Sequence, residues 1–169
     1  MAIFIQNRQR TVPLRTVLIK KRLQRLMQYL GCPDAELSIL FTNDQTIRTL
    51  NRIYRHKDTP TNVLAFPQTP SPRTELGIRL LGDVVVSLPM AAREARATRQ
   101  ALEDHVTFLL VHGILHLLGY DHEHSTQDRR RMQQRERALW RRIRAAERAE
   151  APQGPRPKST RRNVGDVPA

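Results

Sequence analysis

Residues 112–122 read HGILHLLGYDH. His112 and His116 stand four apart in an apolar stretch that predicts a helix, so their imidazoles fall on one face, one turn apart. Gly119 suits a left-handed residue that reverses the chain after the helix. Three residues later, His122 can return to the same ion. Three imidazoles leave one tetrahedral position open, the arrangement of a catalytic zinc site rather than a closed structural one. The expectation is one zinc ion held by His112, His116 and His122, and a metal-dependent hydrolase built on it. A lone H-x3-H is a weak signal. The full H-x3-H-x2-G-x2-H fixes three ligands and the turn that brings them together. Two histidines on a buried helix are costly unless something pairs with them; the bland alternative is satisfaction by backbone carbonyls.

The same spacing occurs in metzincin peptidases, where the residue after the first histidine is a glutamate that serves as general base. Here that residue is Gly113, which cannot take a proton. The ligands are kept and the peptidase base is missing. His124 lies two residues past His122 and reads as a solvated loop residue. Asp121 either orients a ligand imidazole or caps the loop. His56 and His105 read as structural or exposed. Cys32 is the only cysteine, so no internal disulfide forms, and it reads as a small, partly buried thiol.

The elements that must position these residues can be read in order. Residues 2–6 read as a strand. Residues 14–31 carry a helical stripe of Leu14, Leu18, Leu23, Leu26, Met27 and Leu30 that ends at Gly31 and Pro33. Residues 36–42 form a strand, Asn43 an N-cap, and Ile47, Leu50 and Ile53 one face of the next helix. After the polar connector 56–62 comes a short strand, Val63–Phe66, closed by Pro67. PQTPSPRTE is a proline-rich surface loop. Residues 80–88 form a buried strand, Pro89 to about Arg99 a helix, and about Ala101 to Leu118 the most apolar helix. Ser125 or Thr126 caps a last helix to about Glu147, with Met132, Leu139, Trp140 and Ile143 inward. Four short strands among about five helices, without strict βαβ alternation, point to an α+β fold, with the metal site at the end of a central apolar helix. Residues 1–148 form one domain and 149–169 a disordered, basic, Pro-rich tail.

The chain has 169 residues, 39% of them apolar, enough for a core. Mean hydropathy is −0.55, and no apolar run approaches the ~18 residues of a membrane span. The start lacks the pattern of a signal peptide, so a cytoplasmic protein is the default expectation. Net charge is +13, and residues 128–148 alone hold 9 Arg against 3 acidic residues. Such a surface draws polyanions, of which nucleic acid is the commonest. Arg-biased composition is the alternative.

Three ordered blocks then point to a family. HGILHLLGYDH resembles the signature of the YbeY endoribonucleases, the rRNA maturation factors. LNRIYRHKDTPTNVLAFP at 50–67 resembles their second block, and LGDVVVS at 81–87 their third. The resemblance covers roughly residues 1–145. It implies an α+β fold with a small mixed four-stranded sheet packed with about five helices, zinc on the three histidines, and single-strand-specific RNA cleavage in 16S rRNA 3′-end maturation and ribosome quality control. It implies partners in single-stranded RNA, rRNA and ribosomal particles. An Arg of the second block that lies near the metal maps to Arg55. Two departures stand out: Ala65 replaces a frequent serine, and the last helix, often acidic in the family, is strongly basic here.

On this reading Arg55 stabilises charge growing on the phosphorane, a role suited to a fork of fixed donors. Lys57 and Arg52 track the backbone beside it. With 8 aromatic residues there is little material for a stacking platform, and Tyr54, Phe66 and Tyr120 read as core. The general base is not legible. The competing readings are a zinc peptidase with a substitute base, a ribosome-associated binding factor with a structural metal, and an RNA-binding module built on residues 128–162.

Overall fold

The computed structural model describes residues 2–68 and 77–152. Much of the proline-rich loop and of the expected tail lies outside the described residues. Nine elements follow the order read from the sequence: β1 (Ala2–Asn7), α1 (Thr16–Tyr29), β2 (Glu36–Thr42), α2 (Asp44–Arg55), β3 (Val63–Pro67), β4 (Leu80–Ser87), α3 (Leu88–Ala97), α4 (Leu102–Leu117) and α5 (Thr126–Glu150). The sheet runs β1-β2-β4-β3. The first three pair in parallel and β3 pairs antiparallel to β4. The fold is therefore α+β around a mixed four-stranded sheet, as expected.

Side-chain alternation along the strands gives the sheet two apolar faces. Ile3, Leu37, Ile39, Phe41, Val84 and Val86 join the main core with residues of α1, α3, α4 and α5. Leu64 and Val85 turn the other way and meet Ile47 of α2, with Phe66 partly buried beside them. In β3 this splits neighbours: Val63 and Ala65 face the α4 side, Leu64 and Phe66 the α2 side. The faces thus place α4 and the C-terminal end of α2 on opposite sides of β3, the terminal strand of the described sheet.

Asn43 and Ser125 cap as read from the sequence, and Ser87, read there as strand, is a third cap. Asn43 accepts from the Thr46 amide at 2.9 Å, Ser87 from Met90 at 3.4 Å and Ser125 from Asp128 at 3.0 Å. Ser87 and Leu88 therefore divide strand from helix one residue earlier than their apolar character suggests.

Helices α1, α4 and α5 are tied by Arg22, a cation only 2% exposed. Its guanidinium donates to Glu147 at 2.5 and 3.1 Å, to Asp104 at 2.9 Å, to Thr107 Oγ1 at 3.0 Å and to the Glu103 carbonyl at 3.0 Å. A charge so buried is tolerable only with its donors satisfied. The cluster fixes α5 against α4, and that register matters at the site below.

Candidate metal centre

His112 and His116 project from the last two turns of α4. The helix ends at Leu117, and Gly119, at φ 93°, takes the left-handed conformation that a β-carbon would strain. The Tyr120 amide closes the turn on the Leu115 carbonyl at 3.0 Å. The chain then returns and places His122 beside the helix. Ring centroids lie 4.7 Å apart for His112–His116, 5.3 Å for His112–His122 and 4.9 Å for His116–His122. One nitrogen from each ring lies within 4.8 Å of the others, the only such histidine, cysteine or carboxylate cluster among the described residues.

Four observations bear on whether these residues fit a metal ion. His112 Nε2 and His116 Nε2 are 3.1 Å apart; tetrahedral zinc with bonds of about 2.0–2.1 Å spaces its nitrogens by about 3.3 Å. His112 Nδ1 donates to Glu136 Oε1 at 2.5 Å, which fixes the proton on that nitrogen and leaves the Nε2 lone pair facing the triad. Nδ1 of His122 is buried with no partner among the described residues. Burial, then the neighbouring His112 and His122, hold the His116 imidazole below its ordinary pKa, so it is kept in the neutral, ligating form. The donor set fits a borderline-soft divalent cation.

Glu136 is the residue sequence reasoning missed. It lies on the inward face of α5 with Met132, Leu139 and Ile143, and is 5% exposed. The signal was present: position 136 is one turn from Met132 and one from Leu139–Trp140, so the periodicity buries it. A carboxylate there demands a partner. The partner is a metal-ligand candidate 24 residues upstream.

Gly113 faces the sheet at close quarters. A β-carbon on it would meet Val84 Cγ1 at 2.7 Å and Cγ2 at 3.3 Å. The peptidase glutamate is thus absent from a position where even alanine is tight, because α4 lies directly on β4.

The triad opens into a cleft of about 490 Å³ that β3 and the loop after α4 line, including Asn62, Ala65, Tyr120 and Glu123. Arg55, the last residue of α2, lines the same cleft and donates to Glu123 Oε1 at 3.1 Å. The structure therefore brings Arg55 into one cleft with His112, His116 and His122. His124 is solvated and pairs with Asp121 at 2.8 Å. Asp121 also accepts from the Glu123 amide at 2.8 Å, and that hydrogen bond, with His124 and His116 nearby, holds its carboxyl low. Its role is that of a loop cap. His105 is structural, paired with Glu94 at 2.7 Å, and His56 ends α2 at φ 57°. Two aromatics depart from expectation: Tyr54 is 63% exposed and meets Phe66 edge-on at 5.0 Å, and Tyr120 is partly exposed. Tyr54 sits in the last turn of α2, beyond the Ile47 and Leu50 that pack toward the sheet.

Fold and cleft define a small α+β protein with a three-histidine centre able to hold a metal ion and an arginine in the same cleft. Residues 4–144 match the family model described as Endoribonuclease YbeY, and the chain belongs to that family. A relative named Endoribonuclease YbeY from Syntrophotalea carbinolica is 46% identical over 143 residues, 84% of this chain and 95% of that one. One of the same name from Geobacter metallireducens is 44% identical over 141 residues, 83% and 94% of the two chains. The solution structure of TM1509 from Thermotoga maritima shares the fold, with a TM-score of 0.60 at 23% identity, over 90% of this chain and 97% of that one. No helix among the described residues is long and apolar enough to cross a membrane.

Proposed function

We propose that this protein is a zinc-dependent, single-strand-specific endoribonuclease that acts in the cytoplasm on rRNA, in 16S rRNA 3′-end maturation and ribosome quality control. His112, His116 and His122 hold one zinc ion, and Arg55 binds the phosphate that is cut. The observation that carries the reading is the convergence of three imidazole nitrogens within 4.8 Å in the cleft that Arg55 also lines. Membership of a family named for endoribonuclease activity supports the substrate. The binding of rRNA within ribosomal particles rests on the family resemblance and on the basic surface.

When bound, zinc supplies Lewis-acid polarisation of a phosphoryl oxygen and acidification of water. The remaining roles belong to the chain. Glu136 holds the His112 proton at Nδ1 and so keeps Nε2 free to ligate. The Gly119 turn brings His122 back to the two helical ligands. Arg55, held by Glu123 in the absence of RNA, exchanges that carboxylate for a phosphate and offsets the charge that grows during cleavage.

Peptide hydrolysis is disfavoured by Gly113, where Val84 leaves no room for the general base. The test is a pair of assays on the zinc-loaded protein. Cleavage of single-stranded RNA, abolished by a chelator and restored by zinc, with no casein hydrolysis, is the expected result. Casein hydrolysis without RNA cleavage overturns the assignment.

A further inference from the structure

Helix α5 carries nine arginines and four acidic residues. All four carboxylates are engaged on or near its inward side: Asp128 in the Ser125 cap, Glu136 on His112, Glu147 on Arg22 and Arg144, and Glu150 on Lys21 and Arg25. The outward side is left without an acidic residue, its exposed arginines interleaved only with neutral residues such as Gln134. Arg130, Arg137, Arg141 and Arg148 are exposed. At 100° and 1.5 Å per residue they fall within about 40° of arc and span about 27 Å along the helix. None has an ion-pair or hydrogen-bond partner among the described residues. An ordinary solvated helix face mixes signs at i, i+4 spacing. This one does not.

We propose that this stripe docks the phosphate backbone of an RNA duplex that adjoins the single-stranded segment in the cleft. The proposal rests on the RNA-cleavage reading for the identity of the polyanion. Three observations support it. The stripe starts on the second turn after the loop carrying His122, and Arg131, the residue next to its first arginine, lines a groove with Gly119, Tyr120, Asp121 and Asp128. Guanidiniums on a straight, rigid rod suit a polyanion whose phosphates hold fixed places, whereas a flexible strand would lose conformational freedom to follow it. A membrane surface is disfavoured because the large apolar residues of α5 face inward, Met132, Leu139 and Ile143 buried and Trp140 partly buried against the core, and the arginine stripe carries none to insert. The cleft would then select the strand to be cut, and α5 would select RNA in which that strand is anchored beside a helix.

The experiment compares the full chain with a variant carrying Arg→Gln at positions 130, 137, 141 and 148, on two RNAs: a short single strand, and the same strand extended from a hairpin. Affinity for the hairpin RNA is expected to fall at least about tenfold, and the slope of log K against log salt to drop by about three to four. Cleavage of the short single strand is expected to be unchanged. The matching Arg→Lys variant, which keeps the charges, retains most of the slope and controls for misfolding. Unchanged hairpin affinity, equal loss on both RNAs, or loss confined to anionic vesicles or an acidic protein overturns the proposal. If the wild type binds the hairpin RNA through the stripe yet cuts neither RNA, the nuclease reading fails and the docking surface stands.

Discussion

The carboxylate of Glu136, on α5, accepts a hydrogen bond from Nδ1 of His112, on α4, at 2.5 Å. This contact links the surface helix to the metal centre. It sets the tautomer of one candidate ligand, and it makes the docking of α5 a condition for a well-formed triad. Removal of such a partner typically costs 10–100-fold in metal affinity. Glu136→Ala is therefore expected to weaken zinc binding by about that factor in a competition titration. Glu136→Gln, which keeps an acceptor, is expected to lose less. Equal zinc affinity in Glu136→Ala and wild type would show that the contact is structural only.

On the proposed function, Arg55 separates binding of the metal from cleavage. It donates to Glu123 and not to any histidine. Arg55→Glu is expected to keep its zinc and to lose RNA cleavage. Loss of one donor aimed at developing charge typically costs about 10²–10³ in rate, so Arg55→Gln should fall in that range. Wild-type cleavage by either variant removes Arg55 from the site.

Gly113 is a packing residue. With Val84 Cγ1 2.7 Å from a β-carbon there, Gly113→Ala is expected to cost about 1–3 kcal/mol by overpacking. Gly113→Glu, which buries an unpaired carboxylate as well, should cost more. It should not gain peptidase activity. Denaturant unfolding reads the first effect and a casein assay the second; a stable, proteolytic Gly113→Glu would mean that α4 can lift from the sheet.

The Arg22 cluster predicts how acid unfolds the protein. Burial raises the Glu147 carboxyl, but hydrogen bonding and charge from Arg22, with Arg144, outweigh it and hold the group below its ordinary value of 4.5. A carboxylate depressed in the folded state stabilises above its unfolded pKa, and the contribution disappears as pH falls through the folded value. Glu147→Gln should therefore be less stable than wild type at pH 7, by about 1–3 kcal/mol. The gap should close as the pH falls below about 4.5. A gap that is constant with pH contradicts this assignment.

The helix–turn–histidine geometry was legible because it is local: two residues one turn apart, a glycine and a short return fix it whatever surrounds them. Element order and the α+β class followed from periodicity and caps, whereas the mixed pairing of the sheet was legible only through the family resemblance, because strand direction depends on contacts between strands far apart in sequence. Glu136 was hidden because its partner is on another helix, although the inward face of α5 marked it. The reason for Gly113 was also hidden, since the approach of Val84 is a property of how α4 lies on β4. Tyr54 was misread as core because its exposure depends on which turns of α2 pack toward the sheet.

The proposed function requires that the three histidines hold a metal on which RNA cleavage depends. The direct measurement is zinc content per chain, paired with cleavage of a defined single-stranded RNA, for wild type, His112→Ala and His116→Ala. One zinc per wild-type chain is expected, with both zinc and cleavage lost in each folded variant. Full RNA cleavage by a zinc-free His116→Ala protein would contradict it.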